Sequence, residues 1–209
     1  MKSADYVITL GGDGTILQAI SLIGESCTPI VGVNLGRLGF LASIDSEQLI
    51  PAIDAIIAGK YKIKERSMLH LESNLPLFDE APFALNDFTL HKRDTSSMIT
   101  INTFVNGEFL TAYWADGLIV STPTGSTGYS LSCGGPIIMP SSGNIVITPV
   151  APHNLNVRPI ILSDSSVISF EIEARSNAFM CSMDSRFEVI SYEHQLAIRK
   201  CNFPTRLVQ

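Results

Sequence analysis

Several features that mark whole classes of protein are missing from this chain, and each absence narrows what the chain does. No apolar run approaches the roughly 18 residues needed for a membrane-spanning helix, and the N-terminus has neither the basic nor the apolar region of a signal peptide. Basic residues are in deficit. Fourteen Lys and Arg against twenty Asp and Glu leave a formal charge of −6 and a pI near 5.1, which argues against a general binder of nucleic acid or of anionic membranes. Cys27, Cys133, Cys181 and Cys201 stand far apart without CxxC or metal-ligand spacing, and His70, His91, His153 and His194 are equally scattered. No residue-built metal site is expected, and the cysteines read as free thiols of a cytoplasmic protein. The sequence also lacks an internal repeat, a low-complexity tract, a long charge run, a P-loop lysine and a hydrolase-type Ser, His and Asp signature.

At 209 residues, with 45% hydrophobic and 16% charged side chains and a mean hydropathy of +0.26, the chain can bury a proper core as one large domain or two small ones. It is organised around Thr9-Leu10-Gly11-Gly12-Asp13-Gly14-Thr15. Residues 6–10 read as a short buried strand and 16–20 open a helical pattern, so this turn joins strand to helix. Gly11, Gly12 and Gly14 can take backbone angles closed to other residues, and their N–H groups at a helix N-terminus suit an oxyanion such as phosphate. Asp13 would repel that phosphate; its chemistry is to accept a hydroxyl proton or to hold a metal ion alongside. Asp-Gly pairs are also ordinary turn formers, so the turn alone reads equally well as punctuation.

Residues 29–34 form a second β-type run and complete a β–α–β unit with a parallel pair. A loop follows, Leu35-Gly36-Arg37-Leu38-Gly39-Phe40-Leu41, with Leu41 reading as core. Residues 45–48 then cap an amphipathic helix that Gly59 stops. From about Lys60 the pattern changes to period two. Strands are expected at 68–72, 84–90, 98–105 with the Asn106-Gly107 turn, 109–113, 145–148, 166–172, 178–183, 187–192 and 196–199. The expected fold is an α/β N-terminal domain, an incomplete doubly wound parallel sheet, followed by a larger, mainly antiparallel β-rich domain. The boundaries are 1–66 for the α/β domain carrying the glycine turn, 67–195 for the β-rich domain, and 196–209 for a segment returning toward the first domain. Met1 lies so close to the first core strand that a flanking strand is expected to be missing.

The richest stretch runs from Asp116 through Thr122-Pro123-Thr124-Gly125-Ser126-Thr127-Gly128-Tyr129-Ser130-Leu131-Ser132 to Pro136. Residues 118–121 read as a buried strand, and Ser126 or Thr127 as the N-cap of a short helix closed by Gly134-Gly135. Hydroxyls and free N–H groups there suit sugars, purine edges and phosphates, and Tyr129 offers a stacking ring. An ordinary Ser/Thr loop would explain Ser126 but not the whole density. Asn86-Asp87 interrupts an apolar strand-like run, which fits either a polar pocket or bulge, or a solvated strand edge.

These blocks, with Thr148-Pro149, Pro152-His153 and Arg158-Pro159-Ile160, strongly resemble the NAD kinase family in order and across nearly the whole chain. The GGDGT turn is shared with diacylglycerol and sphingosine lipid kinases and, as a close variant, with 6-phosphofructokinases. The block from Thr122 to Ser132 is far more specific. The resemblance implies ATP-dependent phosphorylation of the 2′-hydroxyl of the adenosine ribose of NAD, giving NADP. Asp13 would be the base that orients or deprotonates that hydroxyl, with Gly14 beside it, and Gly11, Gly12, Gly14 and Thr15 would form the phosphate and ATP loop. Asn86 and Asp87 would hold ribose hydroxyls, and Asp116 would meet the nicotinamide end. Phe40 would wall the nicotinamide pocket. Thr127, Gly128, Tyr129, Ser130, Leu131 and Ser132 would line the adenine and ribose pocket, and Ala151 would contact the dinucleotide through its backbone. ATP and a divalent cation, Mg²⁺, complete the implied site; a homodimer or homotetramer is the implied assembly. Asp87 stands where many relatives carry Glu, Asp184-Ser185-Arg186 matches the family's Asp-Gly turn only weakly, and the chain is expected to be shortened at both ends. The alternatives are a catalytically impaired NAD-binding fragment and a GGDGT-type lipid kinase.

Overall fold

A computed structural model describes residues 4–36, 39–79, 81–93, 97–154, 156–174 and 177–209. It divides into two compact units, Met1–Arg66 with Phe203–Gln209, and Ser67–Asn202. Residues 196–202, expected in the returning segment, therefore belong to the second unit, because Leu196–Lys200 pairs with strands of that unit on both sides.

The first unit opens with β1 (Val7–Leu10), α1 (Asp13–Ile23) and β2 (Ile30–Asn34). Ile16, Ala19, Ile20 and Ile23 recur at helical spacing and form the buried face of α1, while every residue of β2 is buried. β1 runs parallel to β2 with Val7 opposite Ile30. Next come β3 (Ile44–Asp45), α2 (Leu49–Ile57) and β4 (Ile63–Arg66). Asp45 makes no side-chain capping bond; a 3₁₀ turn over Ser46–Gln48 leads into α2 instead. The C-terminal strand Thr205–Val208 lies between β2, to which it is parallel, and β4, to which it is antiparallel. β1 is an edge strand, with Ile8 and Leu10 about half exposed.

The second unit is two six-stranded antiparallel sheets. In chain order its strands are β5 (Leu69–Ser73), β6 (Phe83–Ala84), β7 (Asp87–Lys92), β8 (Ile99–Val105), β9 (Glu108–Ala115) and β10 (Gly117–Ser121), then β11 (Asn144–Val150), β12 (Ile160–Ser163), β13 (Ile168–Glu173), β14 (Phe179–Met183), β15 (Arg186–Ile190) and β16 (Leu196–Lys200). One sheet runs β12-β11-β10-β7-β14-β15 and the other β6-β5-β16-β13-β8-β9. Alternating apolar residues from both fill a shared core, where Phe88 of β7 stacks on Phe170 of β13 with centroids 5.9 Å apart. Among the described residues no helix is long and apolar enough to cross a membrane.

Candidate active site

In the first unit β1 ends at Leu10 and α1 begins at Asp13, earlier than the start expected near Thr15. Gly12 is the extended N-cap residue, and an acidic side chain in the first turn is favoured by the helix dipole. The Asp13 carboxylate is held by three backbone N–H groups of the following loop. Phe40 donates to Oδ2 at 2.8 Å, and Leu41 and Ala42 donate to Oδ1 at 3.1 and 3.3 Å. A β-carbon on Gly39 would come closer than 3.0 Å to that carboxylate, so the approach requires glycine. Gly11 is equally constrained by the Thr15 side chain, whereas a β-carbon on Gly12 or Gly14 would meet no protein atom within 4 Å, so both face open space. Oδ2 retains one acceptor position, enough to receive a single hydroxyl. Phe40 is 82% exposed and Leu41 is core. Arg37 and Leu38 of this loop lie outside the described residues.

In the second unit the run expected as one strand over 84–90 is broken. β6 ends at Ala84, Leu85 and Asn86 form a bend, and β7 starts at Asp87. The reason is the turn between β14 and β15, where Asp184 takes a left-handed φ of 53° and directs its carboxylate at the bend. It accepts N–H bonds from Leu85 at 2.9 Å, Asn86 at 2.7 Å and Asp87 at 3.3 Å. Asp87 is thereby placed in a partly enclosed setting. Burial, reinforced by the charge of Asp184, pushes its carboxyl up to about 6, and the Thr89 hydroxyl at 3.3 Å partly offsets this.

The hydroxyl-rich block packs directly on that bend. The Thr122 N–H donates to the Asn86 carbonyl at 2.9 Å and the Thr122 hydroxyl to the Leu85 carbonyl at 2.6 Å. Ser126 is not the helix cap anticipated from its position. Its fully buried hydroxyl donates to the Pro123 carbonyl at 2.7 Å and accepts the Ile138 N–H at 3.0 Å, clasping the two ends of the block together. A 3₁₀ turn, Gly125–Thr127, precedes α3 (Tyr129–Ser132), and Gly128 is its N-cap residue. Gly128, Tyr129, Leu131 and Ser132 are exposed and Thr127 is partly so, but Ser130 is buried with its hydroxyl 2.8 Å from that of Thr148.

Asp116 sits between β9 and β10, where its carboxylate pairs with the Lys92 ammonium at 2.5 Å and its carbonyl accepts the Lys92 N–H at 2.9 Å. Ala151, just past β11, holds a positive φ of 45°, a strained conformation for a residue with a β-carbon. His153 orders its loop through an N–H bond to the Trp114 carbonyl at 2.9 Å and an edge contact with the Trp114 ring. Among the described residues no group of three His, Cys, Asp or Glu side chains converges to hold a metal. Sequence reasoning did not single out Lys92 or Arg186 as supporting residues. An apolar alternating run ending in Met183-Asp184-Ser185-Arg186 does signal a hairpin with a left-handed-tolerant Asp at its tip, but its target 97 residues away is set by strand order alone.

The family model of the ATP-NAD kinase N-terminal domain matches residues 1–61, and that of the ATP-NAD kinase C-terminal domain matches residues 85–209. The chain belongs to the ATP-NAD kinase family. It is 53% identical over 205 residues to an NAD kinase of Cytophaga hutchinsonii, covering 98% of this chain and 70% of that protein. To an NAD kinase of Bacteroides fragilis it is 47% identical over 206 residues, covering 99% and 71%. Among solved structures, yeast NADH kinase complexed with NADH superposes with a TM-score of 0.88 at 34% identity, over 98% of this chain and 61% of the yeast one. An NAD kinase from Archaeoglobus fulgidus in complex with ATP gives 0.85 at 26% identity, over 100% and 79%.

Proposed function

We infer that the chain transfers the γ-phosphoryl group of ATP to the 2′-hydroxyl of the adenosine ribose of NAD, releasing ADP and NADP. The observation that carries this reading is Asp13, a carboxylate on the first turn of a helix beside two glycines whose open faces leave room for phosphate oxygens. With three N–H bonds drawn onto it, Asp13 is a well-fixed acceptor. That suits phosphoryl transfer, where orienting the attacking hydroxyl matters more than removing its proton early. Asn86 and Asp87, fixed in the second unit, take the ribose hydroxyls. The exposed face of Tyr129, Leu131 and Ser132 takes the adenosine, Asp116 the nicotinamide end, and Ser130 supports α3 from beneath.

The donor set does not fit a resident metal: no three ligands converge among the described residues, and the Asp13 carboxylate is already spanned by amides. Mg²⁺ therefore arrives as part of the ATP·Mg substrate, held by phosphate oxygens and water. A cytoplasmic homo-oligomer is part of the same proposal, and exposed Phe187 and Val189 on the edge strand β15 support self-association. The test is NADP formation by the purified chain from NAD and ATP·Mg, run beside calorimetric titration with NAD. Turnover supports the assignment, whereas no turnover with no NAD binding overturns it.

A further inference from the structure

We propose that Asp184 is a positioning residue of this reaction: its carboxylate gathers the backbone N–H groups of Leu85, Asn86 and Asp87 and so fixes the bend from which Asn86 and Asp87 meet the ribose of NAD. The proposal rests on the function inferred above for what the bend binds, and on geometry alone for the clamp.

An uninterrupted strand would give those N–H groups to its neighbours. Here they converge on one carboxylate, with Oδ1 taking Asn86 and Asp87 and Oδ2 taking Leu85. The clamp is reciprocal, since the Asp184 N–H donates to the Asp87 carbonyl at 3.0 Å. Arg186, two residues on, grips the approach to the bend by donating to the carbonyls of Ala81 at 2.6 Å and Phe83 at 2.5 Å. From the other side Thr122 takes the carbonyls of Leu85 and Asn86. Every backbone N–H and C=O of Leu85, Asn86 and Asp87 is thus engaged. The backbone of the bend is held at every polar group, which fixes the directions in which its side chains leave it.

A turn that only had to close a hairpin at φ 53° would do so with Asn or Gly and no buried charge. Asp184 instead carries a carboxyl that burial pushes above the usual range, with only the three amides and Arg186 pulling it back, and it does so beside a second carboxylate, Asp87. Such an arrangement costs stability and marks a place where geometry is held for another purpose.

Asp184→Asn keeps the left-handed backbone preference and the volume while removing the charge and one acceptor. NAD affinity by calorimetry should fall about tenfold or more, the size of a disturbed set of charge-assisted hydrogen bonds, with ATP affinity held within about twofold. A second readout separates positioning from general loosening. The titratable and polar groups facing Asp87 are the Asp184 carboxyl in the hairpin turn, itself beside Arg186, the neutral Tyr129 phenol from α3 and the Thr89 hydroxyl on its own strand. Removing the Asp184 charge should move the acid limb of NAD affinity to lower pH. An unchanged NAD affinity, or equal weakening toward NAD and ATP with the acid limb unmoved, overturns the proposal. Amide exchange of the unsubstituted chain tests the clamp without any variant: protected amides at Asn86 and Asp87 support it, and exchange at the rate of an open bend overturns it. If the unsubstituted chain neither binds NAD nor forms NADP, the functional assignment fails, while the exchange measurement still decides the clamp.

Discussion

Gly125 lies against the backbone carbonyl of Asn86, so close that a β-carbon on the glycine would come within 3.0 Å of the oxygen. The obstacle is backbone held by Thr122 and Asp184, not the end of a flexible side chain. Gly125→Ala must therefore push the Thr122–Thr127 turn off the bend. It should cost about 1–3 kcal/mol of unfolding free energy, as overpacking does, and raise KM for NAD while leaving KM for ATP unchanged. Urea unfolding with steady-state kinetics checks both. An unaltered unfolding midpoint together with an unaltered KM would show that the two segments are not in contact.

At Asp87 the stability of the fold and the role proposed for its carboxylate pull in opposite directions. Its carboxyl is raised from 3.8 to about 6 by burial and then by Asp184, so the neutral form is the one the fold prefers. The stability contributed by that neutral form is fully present below pH 3.8 and is lost as pH rises through about 6. Asp87→Asn keeps a neutral side chain at every pH. At pH 8 the variant should be more stable by up to about 3 kcal/mol, with the gain shrinking below pH 6 and vanishing near pH 4. NADP formation should fall at the same time. Thermal unfolding from pH 4 to 8 reads the effect, and a gain that does not vary with pH would mean that ionisation of Asp87 is not its source.

Much of this molecule is legible in the sequence because local chemistry and local spacing agree. The glycine turn between β1 and α1, the parallel pair and the alternating strands of the second unit all follow from periodicity and turn residues within short windows. What sequence leaves unread is where distant groups converge. Asn86-Asp87 looks equally like a solvated edge until Asp184 arrives from the β14–β15 turn. Ser126 and Ser130 have the composition of caps and ligands, yet tertiary packing buries both hydroxyls against internal partners. The break at Leu85 escapes the apolar pattern for the same reason, since a side chain 99 residues on takes its N–H.

Ser130 and Ser132 should separate support from contact. The Ser130 hydroxyl is fully buried 2.8 Å from that of Thr148, and a β-carbon on Gly135 would crowd both, so no space remains there for a ligand. Ser130→Ala should lower unfolding free energy by about 1–2 kcal/mol, the cost of leaving Thr148 unpaired, with KM for NAD changed less than about twofold. Ser132 is exposed on α3, so Ser132→Ala should show the converse, a steady midpoint and a raised KM. A large KM effect from Ser130 with no loss of stability would place its hydroxyl on the ligand.

Asp13 combines two properties that substitution can pull apart, its charge and its position. Asp13→Asn turns an amide NH₂ toward one of the N–H donors of the 40–42 loop and weakens the acceptor proposed for the ribose hydroxyl. It should lower kcat by at least about a hundredfold, within the usual range for a lost general base, while NAD affinity measured by calorimetry stays largely intact. Gly39→Ala keeps the carboxylate but drives a β-carbon into it, so the group remains ionisable yet displaced. A shift of about 1 Å in a positioned catalytic group costs on the order of a hundredfold, so this variant should approach the Asp13→Asn defect without removing a single charge. The decisive comparison is single-turnover phosphoryl transfer by the two variants under saturating NAD and ATP·Mg. Full activity in Gly39→Ala would mean that the grip of Phe40, Leu41 and Ala42 on Asp13 is dispensable, and full activity in Asp13→Asn would remove Asp13 from the chemistry altogether.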